Sequence, residues 1–242
     1  MIYKFLPVLM FLFGSFSGNE KTTKTNEKKN VAAVTVEKNV SFAVKAEQIY
    51  HSLQANNFSL PKLESFSKAL QGFYNLKEKG LVKKDILTII DFSLSSNTKR
   101  LWIVDLKTNK ILYNSLVAHG RNTGEEFADK FSNASSSYQS SLGFYATGEV
   151  YQGKHGTSLR LDGLEKGIND NARNRAVVVH GADYVAESFV KAHGRLGRSQ
   201  GCPALPMGIT KEVIEVIKNK SCLFIYHPTA SYKTKLLTEF TV

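Results

Sequence analysis

From residue 85 onward the chain is broken into strand-length apolar runs, and this limits its fold more than any other feature. "ILTIIDFSL", "RLWIVDL" and "KILYNSLVAH" are rich in β-branched residues and are separated by turn formers such as Ser95-Ser96-Asn97 and Lys107-Thr108-Asn109. Runs this short, bounded this way, favour strands over core helices. Residues 101–114 read as a hairpin. Further strands are expected at 143–147, 158–161, 176–180 and 222–226, and "ITKEVIEVIKN" (209–219) has the spacing of a short amphipathic helix. No internal repeat is evident. With strands outnumbering helices, the expected fold is mainly β, a β-sandwich or closed sheet, with a helical lead-in.

The lead-in has a different texture. Residues 41–55 place Val44, Ile49, Tyr50 and Leu53 at roughly helical spacing. Pro61 opens a second helical pattern that carries Leu63, Phe66, Leu70, Phe73 and Leu76 to a stop at Gly80. Residues 19–40 are polar and lysine-rich and read as a linker. Residues 1–18 carry one cation, Lys4, then an apolar run, then small residues, the pattern of a cleavable secretory signal. The run is short for a membrane span, and no other stretch reaches that length. The organisation expected is therefore a signal (1–18), a linker (19–40), a helical extension (41–84) and a β-rich domain (85–242), exported to the cell envelope.

The chain has 242 residues, an apolar fraction of 42%, enough for a real core, and a formal net charge of +11. A basic exported protein suits an anionic partner. All seven arginines lie from Arg100 onward, and Arg160, Arg173, Arg175, Arg195 and Arg198 lead up to a cysteine. Their planar forks favour a carboxylate ligand near that residue. There is no zinc-finger spacing and no aromatic-basic interleaving, so nucleic acid is not the expected partner.

The two cysteines sit in unlike settings. Cys222 in "SCLFIYHP" lies in an apolar run and reads as a small core hydrophobe. Cys202 in "GRLGRSQGCPALP" is surrounded by turn formers and cations, the setting of a partly exposed thiol with a lowered pKa. In an oxidising compartment the pair could also form a disulfide, a minor reading given those contexts. A thiol nucleophile needs a base, and the base needs an orienting group. "AVVVHGADY" ends a strand in His180-Gly181, which offers an imidazole at a sheet edge beside a backbone that a ligand can approach. Ser199 can orient the ring through its hydroxyl or its carbonyl. Gly201 permits the sharp turn that would aim amides near Cys202 at an oxyanion. A zinc site built from His180, His193 and Cys202 is the weaker alternative, because the separations match no compact ligand pair. No cofactor is expected.

Together, "HGADYV", "GRLGRSQGCPALP", "VDLKTNKILYNSLVAHGRNTG" and the long segment from "FSNASSSYQSS" to "VVVHGADYV" resemble the L,D-transpeptidases of the YkuD type, the cysteine enzymes that remodel bacterial peptidoglycan. The resemblance spans about residues 58–228. It implies a β-rich catalytic domain acting on peptidoglycan stem peptides, with Cys202 as nucleophile, His180 as base and Ser199 as third member. The implied product is a 3→3 cross-link formed through a Cys202 thioester. With water as acceptor, the same site would act as an L,D-carboxypeptidase.

The chain departs from the common family pattern at two positions. Gln200 stands where a histidine is usual, and Ala204 where an arginine-like contact is expected. Carboxylate recognition is then left to Arg198, Arg195 or Arg175, with Arg198 nearest the nucleophile. His119 is a candidate groove residue, and His155 reads as a turn residue on a loop that relatives bring near the site. A non-catalytic peptidoglycan-binding module is the rival from another class, although such a module needs no thiol. A papain-like peptidase is disfavoured because there the cysteine precedes the histidine.

Overall fold

The computed structural model describes residues 42–229 and 231–237. The expected signal and the whole of the expected linker lie outside the described residues. In chain order the elements are α1 (42–51), α2 (Leu63–Glu78), β1 (Ile86–Asp91), β2 (Leu101–Asp105), β3 (Lys110–Ser115), β4 (Gly143–Gly153), β5 (Gly156–Gly163), β6 (Val178–Gly181), α3 (Glu187–His193), β7 (Ala204–Leu205), α4 (Met207–Ile217) and β8 (Cys222–Tyr226). A 3₁₀ turn, Lys235–Leu237, follows.

The strands form one sheet in the order β3-β2-β1-β8-β4-β5-β6-β7. β1 and β8 run parallel at its centre, and β6 and β7 are parallel at one end. The chain just past β3 returns to that end. The amide of Ala118 donates to the Ala204 carbonyl at 2.9 Å, and the amide of Ser199 to the His119 carbonyl at 2.9 Å. These bonds nearly close the sheet on itself, leaving few edge groups unpaired.

Alternation along the central strands builds two cores. On β8, Leu223 and Ile225 face one side, while Cys222, Phe224 and Tyr226 face the other. The first side holds Ile90, Ile103, Tyr145 and Leu161, packed with Val213, Ile214 and Ile217 of α4. The second is covered by Phe66, Leu70 and Phe73 of α2 and by Phe42 and Ala46 of α1. Burying each large apolar side chain contributes roughly 1.5–3 kcal/mol. The helical lead-in thus supplies one wall of a core shared with the sheet. The C-terminal segment straps over it: Asn75 donates to the Leu236 carbonyl and Gln71 to that of Leu237, each at 2.8 Å.

The structure differs from the sequence expectations in four places. β6 begins at Val178 because Ala176 adopts φ +55°, which no strand accommodates. The strand pair around 143–161 is a much longer hairpin than expected, turning at Lys154-His155. α4 starts two residues earlier than expected, directly after Pro206. Finally, α3 and β7 were not anticipated. Cys202 and Cys222 are both free thiols, and Cys222 is buried in the core beneath α2, so the disulfide reading does not hold.

Candidate active site

A cleft of about 600 Å³ opens at the β6–β7 end of the sheet. Its floor includes Val178 and His180 of β6 and the 198–202 loop that carries Cys202. One wall is the tip of the β4–β5 hairpin, with Tyr151, Lys154 and His155. The opposite wall is the 135–138 loop, with Ser136 and Tyr138. Three cleft residues, Ser136, Tyr138 and Ala176, hold left-handed φ values of +57°, +55° and +55°. Such backbone costs of order 1–3 kcal/mol per residue and tends to gather at functional sites.

Two backbone groups from the approach to β6 bracket the thiol. The Val178 amide donates to Cys202 Sγ at 3.5 Å, and Sγ faces the Ala176 carbonyl at 3.7 Å. Burial pushes the thiol's pKa up, while the Val178 amide, Arg175 and Lys154 oppose that rise. The lowered pKa expected from the surrounding cations is therefore overturned: desolvation outweighs them, and the resting group is a neutral thiol.

His180 is 3% exposed. Its Nδ1 lies 2.8 Å from the Gly181 carbonyl, which can only accept, so Nδ1 carries the proton and Nε2 is left as the basic nitrogen. Burial is the main cause of a lowered His180 pKa, with His155 and Lys154 adding to it and the Gly181 carbonyl resisting. The ring of His155 stacks on that of His180, with centroids 4.4 Å apart and planes 24° apart.

The orienting role expected of Ser199 belongs to the Gly181 carbonyl. Ser199 Oγ instead donates to the Cys202 carbonyl at 2.6 Å and accepts from the Gly201 amide at 3.0 Å. The Ser199 carbonyl accepts from the Arg121 amide at 2.8 Å. Ser199 therefore shapes the loop that presents Cys202. Gly201, at φ +115°, makes the turn; a Cβ there would lie 2.7 Å from the Gln139 carbonyl oxygen. Its amide is taken by Ser199, whereas the Cys202 amide has no hydrogen-bond partner among the described residues. Gly181 does not meet a ligand through its missing side chain, because Met207 and Thr210 of α4 fill that space.

The expected carboxylate readers are committed elsewhere. Arg198 and Arg195 converge on the Glu125 carboxylate, at 2.5 and 2.8 Å. Arg175 donates to the Ser132 and Gln139 carbonyls and to the Ser137 and Ser141 hydroxyls, which staples the 132–141 wall. His119 lies outside the cleft. It is buried between Arg100, which donates to its Nδ1 at 2.8 Å, and the Gly124 carbonyl, 3.2 Å from Nε2. Burial and then the Arg100 charge push its pKa down to about 4. His193 is exposed at the end of α3, stacked on Phe189, and no cluster of His, Cys, Asp or Glu among the described residues could hold a metal ion.

Sequence reasoning missed Lys154, whereas His155 is a turn residue as expected and its loop does reach the cleft. Both lie between Gly153 and Gly156, at a tip whose placement over the cleft depends on the unexpectedly long hairpin.

Several solved structures are similar to part of this chain. An L,D-transpeptidase from Mycobacterium smegmatis is 12% identical, with 59% of each chain covered and a TM-score of 0.37. The helical cell shape determining protein Pgp2 from Campylobacter jejuni is 12% identical over 64% of this chain and 55% of that one, with a TM-score of 0.38. L,D-transpeptidase 1 of Mycobacterium tuberculosis is 10% identical over 59% and 62%, with a TM-score of 0.34. The chain thus spans somewhat over half the length of these proteins. No curated protein matches it by sequence. Residues 59–226 match the model of the L,D-transpeptidase catalytic domain, a stretch that runs from just before α2 to the last residue of β8 and takes in every strand and the whole cleft. With well over half its length matched, the chain belongs to the L,D-transpeptidase catalytic domain family.

Proposed function

We propose that this protein is a cysteine L,D-transpeptidase that forms 3→3 cross-links between peptidoglycan stems, using Cys202 as nucleophile and His180 as base. One observation carries the reading. The Cys202 thiol and an imidazole whose Nδ1 proton is fixed on the Gly181 carbonyl open into one cleft, in a chain of this family. The signal-like residues 1–18 fit action outside the cytoplasm.

The geometry supports a general-base mechanism rather than a preformed ion pair. His180 Nε2 accepts the thiol proton as Sγ attacks the carbonyl between stem residues three and four. The Cys202 amide is the donor available to the resulting oxyanion, a contact of the kind worth on the order of 3 kcal/mol. The tetrahedral intermediate then collapses. The C–N bond breaks, the terminal D-alanine leaves as an amine with the proton from His180, and a thioester remains. An amine of a second stem attacks the thioester, His180 takes its proton, and the thiol is released on collapse. Ser199 and Gly201 hold the loop, and Gly181 holds the ring.

The test is to incubate the protein with disaccharide tetrapeptides and read the products by mass spectrometry beside Cys202→Ala. Dimers that have lost one D-alanine, absent in the variant, are the expected result. Tripeptide alone would make the enzyme an L,D-carboxypeptidase with the same nucleophile. An unchanged substrate that is still bound would leave a binding module.

A further inference from the structure

The cleft is built for an anion, yet the arginines nearest the nucleophile are not free to bind one. Among the described residues, three permanent cations line it: Arg175, Arg198 and Lys154. Arg175 makes four hydrogen bonds within the protein, and Arg198 is held by Glu125 and by the carbonyls of Arg121 and Gly124. Lys154 has neither an ion pair nor a hydrogen bond among the described residues, and no aspartate or glutamate lines the cleft. Its neighbour His155, stacked on His180, ties the hairpin tip to the base. We infer that Lys154, presented by the β4–β5 hairpin, binds the terminal carboxylate of the donor peptide and so selects stems that end one residue beyond the scissile bond.

Three further points support the assignment. A lysine is a compact point charge on a flexible stem, suited to a single carboxylate at the mouth of a cleft. The Lys154 charge is felt at both Cys202 and His180, which puts it within electrostatic reach of both reacting side chains. A carboxylate bound there would also offset the Lys154 charge that disfavours protonated His180, the form that must pass a proton to the leaving amine.

The inference rests on the proposed function for the identity of the peptide, and its test separates the two. A tetrapeptide stem and its C-terminal carboxamide are titrated calorimetrically into the wild type, Lys154→Gln and Lys154→Arg. The same samples are then followed for turnover by mass spectrometry. The wild type is expected to bind the acid about tenfold more tightly than the amide, Lys154→Gln to bind both alike, and Lys154→Arg to keep part of the preference. If the wild type shows no preference, or if Lys154→Gln retains it, the inference is overturned. Discriminated binding without turnover in the wild type would sink the catalytic reading and leave Lys154 in its assigned role.

Discussion

The imidazole of His155 lies 4.4 Å from that of His180, centroid to centroid, and covers the face of a ring already held edge-on by the Gly181 carbonyl. Two histidines 25 positions apart in sequence are thus stacked by a hairpin turn. The His180 ring is therefore shielded from water on that face and adjoins a second imidazole.

That stack sets the acid limb of the pH profile. In the proposed mechanism His180 is a base only when neutral, so activity is expected to fall as pH drops through its pKa. Burial is the largest cause of its lowered pKa, and His155 adds to it. Phenylalanine at position 155 keeps the stack without the charge, and alanine removes both. In His155→Phe the acid limb of kcat/KM should move to higher pH, and in His155→Ala it should move further. An unmoved limb in both would show that His155 does not tune the base.

The thiols should differ in reactivity. Native protein treated with iodoacetamide is expected to gain one adduct, on Cys202, because Cys222 is sealed in the core. Denatured protein should gain two. The native rate should rise steeply with pH, since the resting group is a thiol that burial keeps protonated. Peptide mapping of the adducts reads this directly.

His119 couples stability to pH. Its folded pKa of about 4 lies below the ordinary value of 6.5. The neutral form is therefore favoured in the native state, and its contribution is complete above pH ~6.5. It is lost as pH falls toward 4, at most about 3 kcal/mol. Urea unfolding at pH 7 and pH 4 should show this loss. His119→Gln should flatten the difference, whatever it does to stability at pH 7.

At Gly201 an added methyl meets both an unfavourable φ of +115° and the Gln139 carbonyl at 2.7 Å. Gly201→Ala is expected to cost about 1–3 kcal/mol and to displace the adjacent Cys202, the proposed nucleophile. The drop in kcat should exceed that of a distant variant matched for stability. The matched control is Gly72→Ala, whose Cβ would press into the Phe144 ring, where α2 rests on β4. It should lower Tm and leave kcat of the folded enzyme intact.

The legible parts of the fold were those with strong local signals: short apolar runs bounded by turn formers. β8 is an unbroken apolar run of strand length, and the turn at Lys107-Thr108-Asn109 marks the β2–β3 hairpin. β7 is two residues long between Pro203 and Pro206, too short to leave a pattern. α3 buries none of its residues and so shows no apolar stripe. Cys202 and His180 could be picked out because their neighbours suit the chemistry. The commitments of the arginines could not be read, because Glu125, which holds Arg195 and Arg198, lies about seventy residues away in sequence. Lys154 was missed for a related reason: what singles it out is the lack of a partner among the described residues, which only the folded structure reveals.

The bridge between Ala118 and Ala204 joins segments 86 residues apart, and the loop bearing Cys202 hangs directly from it. Non-local pairings of this kind are slow to form. The pairing of His180 with Ala204 then sets the sulfur beside its amide donor at Val178 and in one cleft with the imidazole. Assembly therefore decides when the two groups meet: a half-folded chain carries an ordinary cysteine, and thiol and imidazole share a cleft only once both pairings have formed.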